Sequence, residues 1–449
     1  MKRQRVLSFL SLLVVLALLL AACAGGAPAA APAAEEPAVA AEATEPPAEE
    51  APAAEAPAEE AAATEAPAEE APAEAAAPAS EFETSITIWA DDLLTPILLD
   101  LAETFQNEYG VGLVVESVAD RYDQFPVAAP AGEGPDIILL AHDRIGGFYE
   151  SGLLAPIDLG DRTAEFKEAA IDAFTYNGDL VGLPYAIENL AFFYNTELVD
   201  AAPATWDELI EVGGALVDSG DATFALALTG TTYDAFPLQT AFGGYIFGTN
   251  ETGYNPEDVG IDSPGMIAAG EFIQKNVEAG YISNSTDWDT AHLQFETGEV
   301  PFLMAGPWAL ERLRNSGVSY AISQFPAAEQ VGQPFLGVQG FSVNALGENV
   351  LLAQTFLTEF IATEEIMQRL QAASNRASAY NAVAVEDPDL ITFGEVGADA
   401  LPMPAIPEMG SVWGSWADAF TLIINGEQTP EEALTVAAQQ IRDLIKGGE

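Results

Sequence analysis

The 449-residue chain has one cysteine, two histidines and only 14 lysines and arginines against 70 aspartates and glutamates. Each scarcity excludes something. With Cys23 alone, no intrachain disulfide can form. Cys23, His142 and His292 are too few to build a usual transition-metal site, whose ligands are drawn mainly from these residue types. The shortage of basic residues excludes nucleic acid as the main partner, because a phosphate-binding surface needs clustered lysine and arginine. It argues equally against peripheral docking on anionic lipid headgroups. The glycines at 132, 134, 146 and 147 form turns, but no Gly-Lys-Ser/Thr follows them to make a phosphate loop. No cofactor is therefore expected. Apolar side chains, in contrast, are abundant. A hydrophobic content of 49% with 19% charged residues fits a globular protein with a large core.

The formal charge of −56 is unevenly spread. Lys2, Arg3 and Arg5 stand at the start, and the next basic residue is Arg121. Residues 35–80 hold 13 acids, all glutamate, and residues 81–449 hold 57 acids against 11 bases, a balance of −46. Two readings of that acidity are open, solubility by self-repulsion and a salty habitat. Neither bears on a neutral ligand.

The basic start precedes an apolar run from Val6 to Ala22, an export signal in form. The run is short for a spanning helix of roughly 20 residues. It ends in Leu20-Ala21-Ala22-Cys23, which resembles the bacterial lipoprotein cleavage box and makes Cys23 the expected lipidation site. The competing reading is an uncleaved membrane anchor with an incidental cysteine. Residues 24–80 use almost only Ala, Pro and Glu, with Ala-Pro-Ala-Glu-Glu recurring near Pro57 and Pro67. Proline at such spacing breaks helix, and nothing apolar enough is present to form a core, so a disordered tether is expected. As a flexible coil it would span about 40 Å, and as a polyproline rod about 170 Å. A signal at 1–22, a lipidated Cys23 with its tether over 23–80, and a globular part from 81 onward make up the expected organisation.

The globular part alternates strand and helix signals. Ile86–Trp89, Gly112–Val118, Asp136–Leu140, Leu190–Tyr194, Phe224–Leu228 and Val300–Met304 read as strands. Asp136–Leu140 is apolar on both faces, as inside a parallel sheet. Thr95-Pro96 reads as a helix start, with Leu98, Leu101, Phe105 and Tyr109 on one face and Gly110 as the stop. Thr205 with Glu208, and Thr429 with Glu432, have capping-box spacing, and Ser263-Pro264 opens a helix closed by Gly280. The alternation predicts an α/β protein. Its length is too great for one small domain, so two lobes are expected.

The stretch Gly132-Glu133-Gly134-Pro135-Asp136-Ile137-Ile138, then Ala141-His142-Asp143-Arg144, Gly146-Gly147-Phe148 and Ser151-Gly152-Leu153-Leu154, is specific. It resembles the maltose/maltodextrin-binding proteins of bacterial ABC sugar importers. Further blocks follow in the same order. They are Tyr194-Asn195, Thr205-Trp206-Asp207-Glu208, Gly243-Gly244-Tyr245, Gly306-Pro307-Trp308, and Pro402-Met403-Pro404 leading to Met409 and Trp413. The resemblance implies a two-lobed periplasmic-binding-protein-like α/β fold with a ligand cleft between lobes and hinge crossings. Residues 81–187 with 341–390 would form one lobe, and 188–340 with 391–449 the other. It also implies a monomeric binder of maltodextrin-like oligosaccharide, extracellular or periplasmic, held by its lipid at the outer face of the cell membrane and delivering ligand to the permease of an ABC transporter.

A sugar presents hydroxyls at its edge and an apolar C–H face on each ring. A site therefore needs carboxylates and guanidinium groups together with aromatic platforms. The resemblance assigns Asp143 and Arg144 to a charged hydroxyl-binding pair and Glu188 to a cleft carboxylate. It gives a third acid to Asp91 or Asp92 without deciding between them. Trp308, Trp413 and Tyr233 match stacking platforms; Trp288 and Trp416 are weaker candidates, and Trp206 and Trp89 read as structural. The pattern also departs from the family's. Leu140 stands where a tryptophan is usual, Thr231 where a glutamate is, and Ala417 where an arginine is. A basic residue is missing near Leu93. A changed linkage, chain length or sugar fits these losses. Paired carboxylates such as Asp143 and Glu188 could also serve a glycosidase. The resemblance points instead to a binder without catalytic residues, with a glycan adhesin as a further alternative.

Overall fold

The chain divides into two units, 1–74 and 75–449. The computed structural model describes residues 84–251, 253–284 and 287–447. The expected export signal, Cys23 and the tether lie outside the described residues. Among the described residues, no helix is long and apolar enough to cross a membrane.

One eight-stranded sheet organises the first lobe. Its strands are β1 (Ser85–Ala90), β2 (Gly112–Ser117), β3 (Ile137–Ala141), β4 (Leu154–Ala155) and β5 (Leu183–Glu188). A smaller sheet uses β6 (Ala191–Asn195), β7 (Phe302–Ala305) and β8 (Tyr320–Ser323), and the large sheet is completed by β9 (Phe335–Asn344), β10 (Ala377–Ser378) and β11 (Leu401–Pro402). The main path of the large sheet runs β10-β5-β9-β3-β1-β2, with β4 and β11 also pairing β9. β1 is parallel to both β2 and β3. β9 is antiparallel to β3 and to β5. β3, read as lying inside a parallel sheet, has one parallel neighbour, β1, and one antiparallel neighbour, β9. An apolar run covered on both faces does not report the direction of its neighbours. In the smaller sheet β6 lies between β7 and β8, antiparallel to each.

The labelled helices are α1 (Thr95–Tyr109), α2 (Arg121–Ala131), α3 (Trp206–Ser219), α4 (Thr232–Ala241), α5 (Pro264–Glu278), α6 (Glu364–Ser374), α7 (Trp413–Ile424) and α8 (Pro430–Gly447). α1 buries Leu98, Leu101, Ala102 and Phe105 and ends at Gly110, whose φ of 67° is the left-handed turn glycine accepts freely. Thr95 lies inside its first turn rather than at its cap, and its hydroxyl donates to Asp91 O at 2.7 Å. The cap of α3 is Thr205, but the Glu208 carboxylate takes the Ala204 N–H in place of Thr205's own. Thr429 and Glu432 form the reciprocal box at α8, with Glu432 N–H on Thr429 Oγ1 and Thr429 N–H on the Glu432 carboxylate. The expected strand over Phe224–Leu228 is absent. Only Leu226 makes isolated bridges, to Ile282 and Phe302. The segment runs beside the smaller sheet as a loop with its apolar side chains in the same core, and periodicity cannot distinguish that from a strand.

Buried apolar residues gather in three clusters. The first draws on 86–186 and 338–383. The second draws on 190–313, Phe325 and 390–424. The third joins parts of 236–266 and Phe335 to 403–441. The chain thus passes between cores after Ala186, within β9 between Phe335 and Val338, and between Val383 and Leu390. The result is a two-lobed α/β fold.

β9 is sterically committed at its centre. A Cβ at Gly340 would lie 2.4 Å from the Phe174 ring and 2.8 Å from Leu183 O. Gly340→Ala should therefore destabilise the protein by about 1–3 kcal/mol, as overpacking does. Urea unfolding followed by far-UV circular dichroism should show a lower midpoint with an unchanged slope.

Candidate functional site

β1, β3 and β5 run in the same direction, because β1 is parallel to β3 and β9 is antiparallel to both β3 and β5. Their C-terminal ends therefore lie at one edge of the sheet, where open α/β sheets bind ligands. Asp91 and Asp92 follow β1, Asp143 follows β3, and Glu188 ends β5.

The two aspartates after β1 differ. Asp91 accepts the Leu94 N–H at 2.8 Å and lies 3.8 Å from Arg121 Nη2. Asp92 is exposed and takes the Ser117 hydroxyl. Arg121 is buried and donates from Nε to Leu139 O at 2.7 Å. The guanidinium groups of Arg121 and Arg144 lie 4.6 and 4.9 Å from the centre of the Tyr122 ring. Asp91 thus joins the charged cluster, and Asp92 does not.

Asp143 is 5% exposed and lies in a short 3-10 turn, His142–Arg144. Its Oδ2 accepts the Trp413 indole N–H at 3.0 Å and sits 3.1 Å from Arg144 Nε. Burial pushes the Asp143 carboxyl up, against the pull of Arg144 and the Trp413 bond. Arg144 Nε is close enough for ion pairing but off the hydrogen-bond direction, and no acceptor for it occurs among the described residues. Neighbouring His142 is a buried cross-link. Its Nδ1 accepts the Val338 N–H at 3.1 Å, and Nε2 lies 3.0 Å from Met403 O, so the neutral imidazole donates there.

Glu188 is 6% exposed. Its Oε1 accepts the Gln339 side-chain amide at 2.8 Å, and its Oε2 pairs with Arg376 Nε. Gly337 lies opposite, and a Cβ there would come 3.1 Å from Glu188 Cγ and 3.5 Å from the Tyr233 hydroxyl. The lack of a side chain at 337 thus lets the Glu188 strand approach the second lobe.

The aromatic residues come from that lobe. Tyr233 is in the first turn of α4, a helix capped by Thr231, whose hydroxyl accepts the Asp234 N–H at 3.2 Å. Trp308 follows β7 through Gly306 and Pro307. A Cβ at Gly306 would fall 2.2 Å from the Trp308 ring, so the ring's place requires glycine. Trp413 opens α7. The Tyr233 ring lies 6.3 Å from Trp308 and 6.0 Å from Phe335, and Phe335 lies 6.5 Å from Trp413. These four rings form one wall. Of the weaker candidates, Trp416 is fully buried behind Trp413. Trp288 is far from this group in its contacts, lying against His292 at 3.7 Å with the Arg312 guanidinium at 5.1 Å. Trp206 and Trp89 are core residues, as expected.

Four buried polar atoms in this region have no hydrogen-bond partner among the described residues: Arg144 Nε, Tyr185 Oη, Tyr233 Oη and Arg376 Nη1. Burial pushes the Tyr233 hydroxyl well up, and the negative charge of Glu188 adds to it, so it stays a protonated donor. Buried donors normally find partners, so this grouping marks a place where a ligand or water completes them. A concavity of about 710 Å³ lined by Pro156, Asp158, Thr163, Leu351, Gln354 and Thr358 lies elsewhere in the first lobe. No unpartnered buried polar atom lines it, and it brings no predicted residue together. The residues expected from the sequence to hold ligand gather at the sheet edge and not at this concavity. Among the described residues, no three histidine, cysteine or acidic side chains are grouped to hold a metal ion.

The chain belongs to the bacterial extracellular solute-binding protein family, whose model matches residues 100–392. It is similar to the galactooligosaccharide-binding protein of Bacillus subtilis (strain 168), with 29% identity over 390 residues, 83% of this chain and 92% of that protein. Similarity to the maltotriose-binding protein of Pyrococcus abyssi (strain GE5 / Orsay) is 30% over 357 residues, covering 76% and 77%. The maltodextrin-binding protein MdxE of B. subtilis (strain 168) is 26% identical over 357 residues, covering 76% and 85%. This is a solute-binding protein and not an enzyme.

Reading the sequence of this solute-binding protein missed Arg376, Tyr185, Gln339 and Phe335. The one available signal was scarcity. Arginine is so rare here that each one in an apolar context marks a specific partner. Leu140, standing where the family has tryptophan, is fully buried within β3 opposite Gly340, a core position. Thr231, standing where the family has glutamate, is the α4 cap.

Burial lowers His142 from 6.5 to about 4, and His292 likewise. Between those values the unfolded chain takes up a proton that the folded protein refuses. Their contribution is intact above the unfolded value and is lost as pH falls, at about 1.4 kcal/mol per pH unit for each histidine. His142→Gln should remove its share of that slope. Urea unfolding of both proteins between about pH 7 and pH 5 measures the difference; parallel profiles would show that His142 is not held neutral.

Proposed function

We propose that this protein is a lipid-anchored receptor that captures oligosaccharides in the cleft between its lobes and hands them to the permease of an ABC importer. The observation that carries this reading is the pairing of two unlike surfaces. Asp143, Arg144 and Glu188 stand at the sheet edge, and the Trp308–Tyr233–Phe335–Trp413 wall comes from the other lobe. Sugars need such a pairing, with polar groups for the hydroxyls and aromatic faces for the C–H surfaces. In the proposed role Asp91, Asp143, Arg144 and Glu188 bind hydroxyls, and Trp308, Trp413 and Tyr233 stack on rings. Asp92 takes no part.

The lobes are proposed as 81–187 with 341–390 and 188–340 with 391–449. These limits fall within a few residues of the changes of core, which supports a hinge at the crossings. Closure around ligand then presents the joined lobes to the permease. The protein works as a monomer at the outer face of the cell membrane, held by acyl chains on Cys23 and spaced from it by the tether. More than one chain is needed for stable anchoring. Maltodextrin is the first ligand to test, from the sequence blocks and the names of two relatives. Galactooligosaccharide is the second, from the Bacillus relative that matches over the longest stretch of the three named. Both are neutral, in keeping with a cleft whose acids are paired with arginines.

Isothermal calorimetry against maltotriose, longer maltodextrins and galactooligosaccharides should find one binding series, and an absence of binding to all would reject the oligosaccharide reading. Trp308→Ala should weaken that binding by about 3 kcal/mol or more, as loss of a buried aromatic anchor does. Unchanged affinity would remove Trp308 from the site. Separately, cells fed labelled palmitate should label the wild-type protein and not Cys23→Ser, which should leave the membrane fraction.

A further inference from the structure

Arg376 belongs to no motif, yet it lies at the junction of the two surfaces. It follows α6, where Asn375 turns the chain with a φ of 51°. Its own N–H is held by the Ser374 hydroxyl at 3.3 Å. The next residue, Ala377, pairs with Ile187 through β10 and β5. A helix stop and a two-residue strand therefore aim this side chain along the end of β5, and it is only 7% exposed.

A guanidinium has five N–H donors in a fixed plane and no acceptor. Nε is used by Glu188. The guanidinium carbon lies 5.5 Å from the centre of the Trp308 ring. Nη1 is buried and has no partner among the described residues. Pairing with Glu188 explains the charge but not the free nitrogen, because an unmatched N–H in the interior is costly. Glu188 could have been neutralised by a shorter or more exposed cation. What sets this position apart is a rigid donor beside a proposed stacking platform. The guanidinium lies over the Trp308 ring face, so a sugar ring sharing that face brings its oxygens against the Nη1 edge.

We propose that Arg376 is a further ligand-contacting residue, whose Nη1 donates a hydrogen bond to an oxygen of the sugar ring stacked on Trp308 while its Nε holds Glu188. The proposal rests on the oligosaccharide reading above and deepens it. Arg376 belongs with the sheet of the first lobe and Trp308 with the second, so one ligand ring would be gripped from both sides.

Arg376→Lys is the informative variant. It keeps a positive charge for Glu188 but gathers its donors on one nitrogen, so it cannot reproduce the fixed separation between the Nε that holds Glu188 and the Nη1 offered to the ligand. Calorimetry with the sugar that binds the wild type should show affinity at least tenfold lower, with the far-UV circular dichroism of the free protein retained. Affinity within twofold of wild type would overturn the proposal and leave the oligosaccharide reading standing. No binding of any sugar by the wild type would overturn both. Should the variant fail to fold, a crystal structure of the wild-type complex decides. A ligand oxygen within about 3.2 Å of Nη1 supports the assignment, and an Nη1 that meets only protein or water overturns it.

Discussion

The register of β9 is the constraint on which the rest depends. It pairs Gln339 with Ala141 on one side and Ala186 on the other, and Gly337 with Glu188. A slip of one residue would turn every side chain of this strand to the other face. It would also part Gln339 from Glu188 and close the gap that Gly337 leaves. Two features resist such a slip. Gly340 fits against the Phe174 ring where no Cβ could. His142 accepts the Val338 N–H and reaches Met403 O, fastening the turn after β3 both to β9 and to the chain leading into α7. Because β9 runs against both β3 and β5, the ends of those strands must face the same way. Asp143 and Glu188 share an edge as a result of strand direction, without any direct contact between them.

Charge follows a separate logic from fold. Every arginine among the described residues has an acidic partner. Most of these pairs are partly exposed, and such pairs stabilise little. Three are not ordinary surface pairs. Arg121, Arg144 and Arg376 stand with Asp91, Asp143 and Glu188 at the sheet edge. In a chain with so great an excess of acid, three of its few arginines are spent in one small region, which is locally balanced while the surface is strongly negative. The net charge therefore describes the solvent-facing skin and carries no information about what the cleft prefers.

Local chemistry was legible in the sequence, and distant pairing was not. Helix ends could be read from Gly110, Thr205, Ser263 and Thr429, since caps act within a few residues. The Ala-His-Asp-Arg turn, Gly-Pro-Trp and the Trp413 segment could be read because each is a contiguous motif. Arg376 could not, since its partner Glu188 is 188 residues away and nothing in either neighbourhood announces the other. Phe335 was hidden in the same way, since its role as the link between Tyr233 and Trp413 exists only after three separate segments meet. The mistaken strand at Phe224–Leu228 shows the converse limit. A buried loop and a buried strand both hide their apolar side chains, and only hydrogen bonding to neighbours separates them.

The unpartnered donors link stability to binding. A buried donor without an acceptor costs about 1–3 kcal/mol, and Arg144, Tyr185, Tyr233 and Arg376 each hold one in the same region. A fold optimised for stability alone would pair or remove them. They are held in place by groups already committed elsewhere. Arg144 sits beside Asp143, Arg376 is fixed by Glu188, and the Tyr233 ring is braced against Phe335 and Trp308. Little side-chain ordering is then left for a ligand to bring about, and that lowers the entropic cost of binding. In the proposed role, a ligand adds the missing acceptors. The proposed oligosaccharide, with many oxygens on a fixed ring, would supply several at once and would also offer the four-ring wall an apolar face, as independent waters would not.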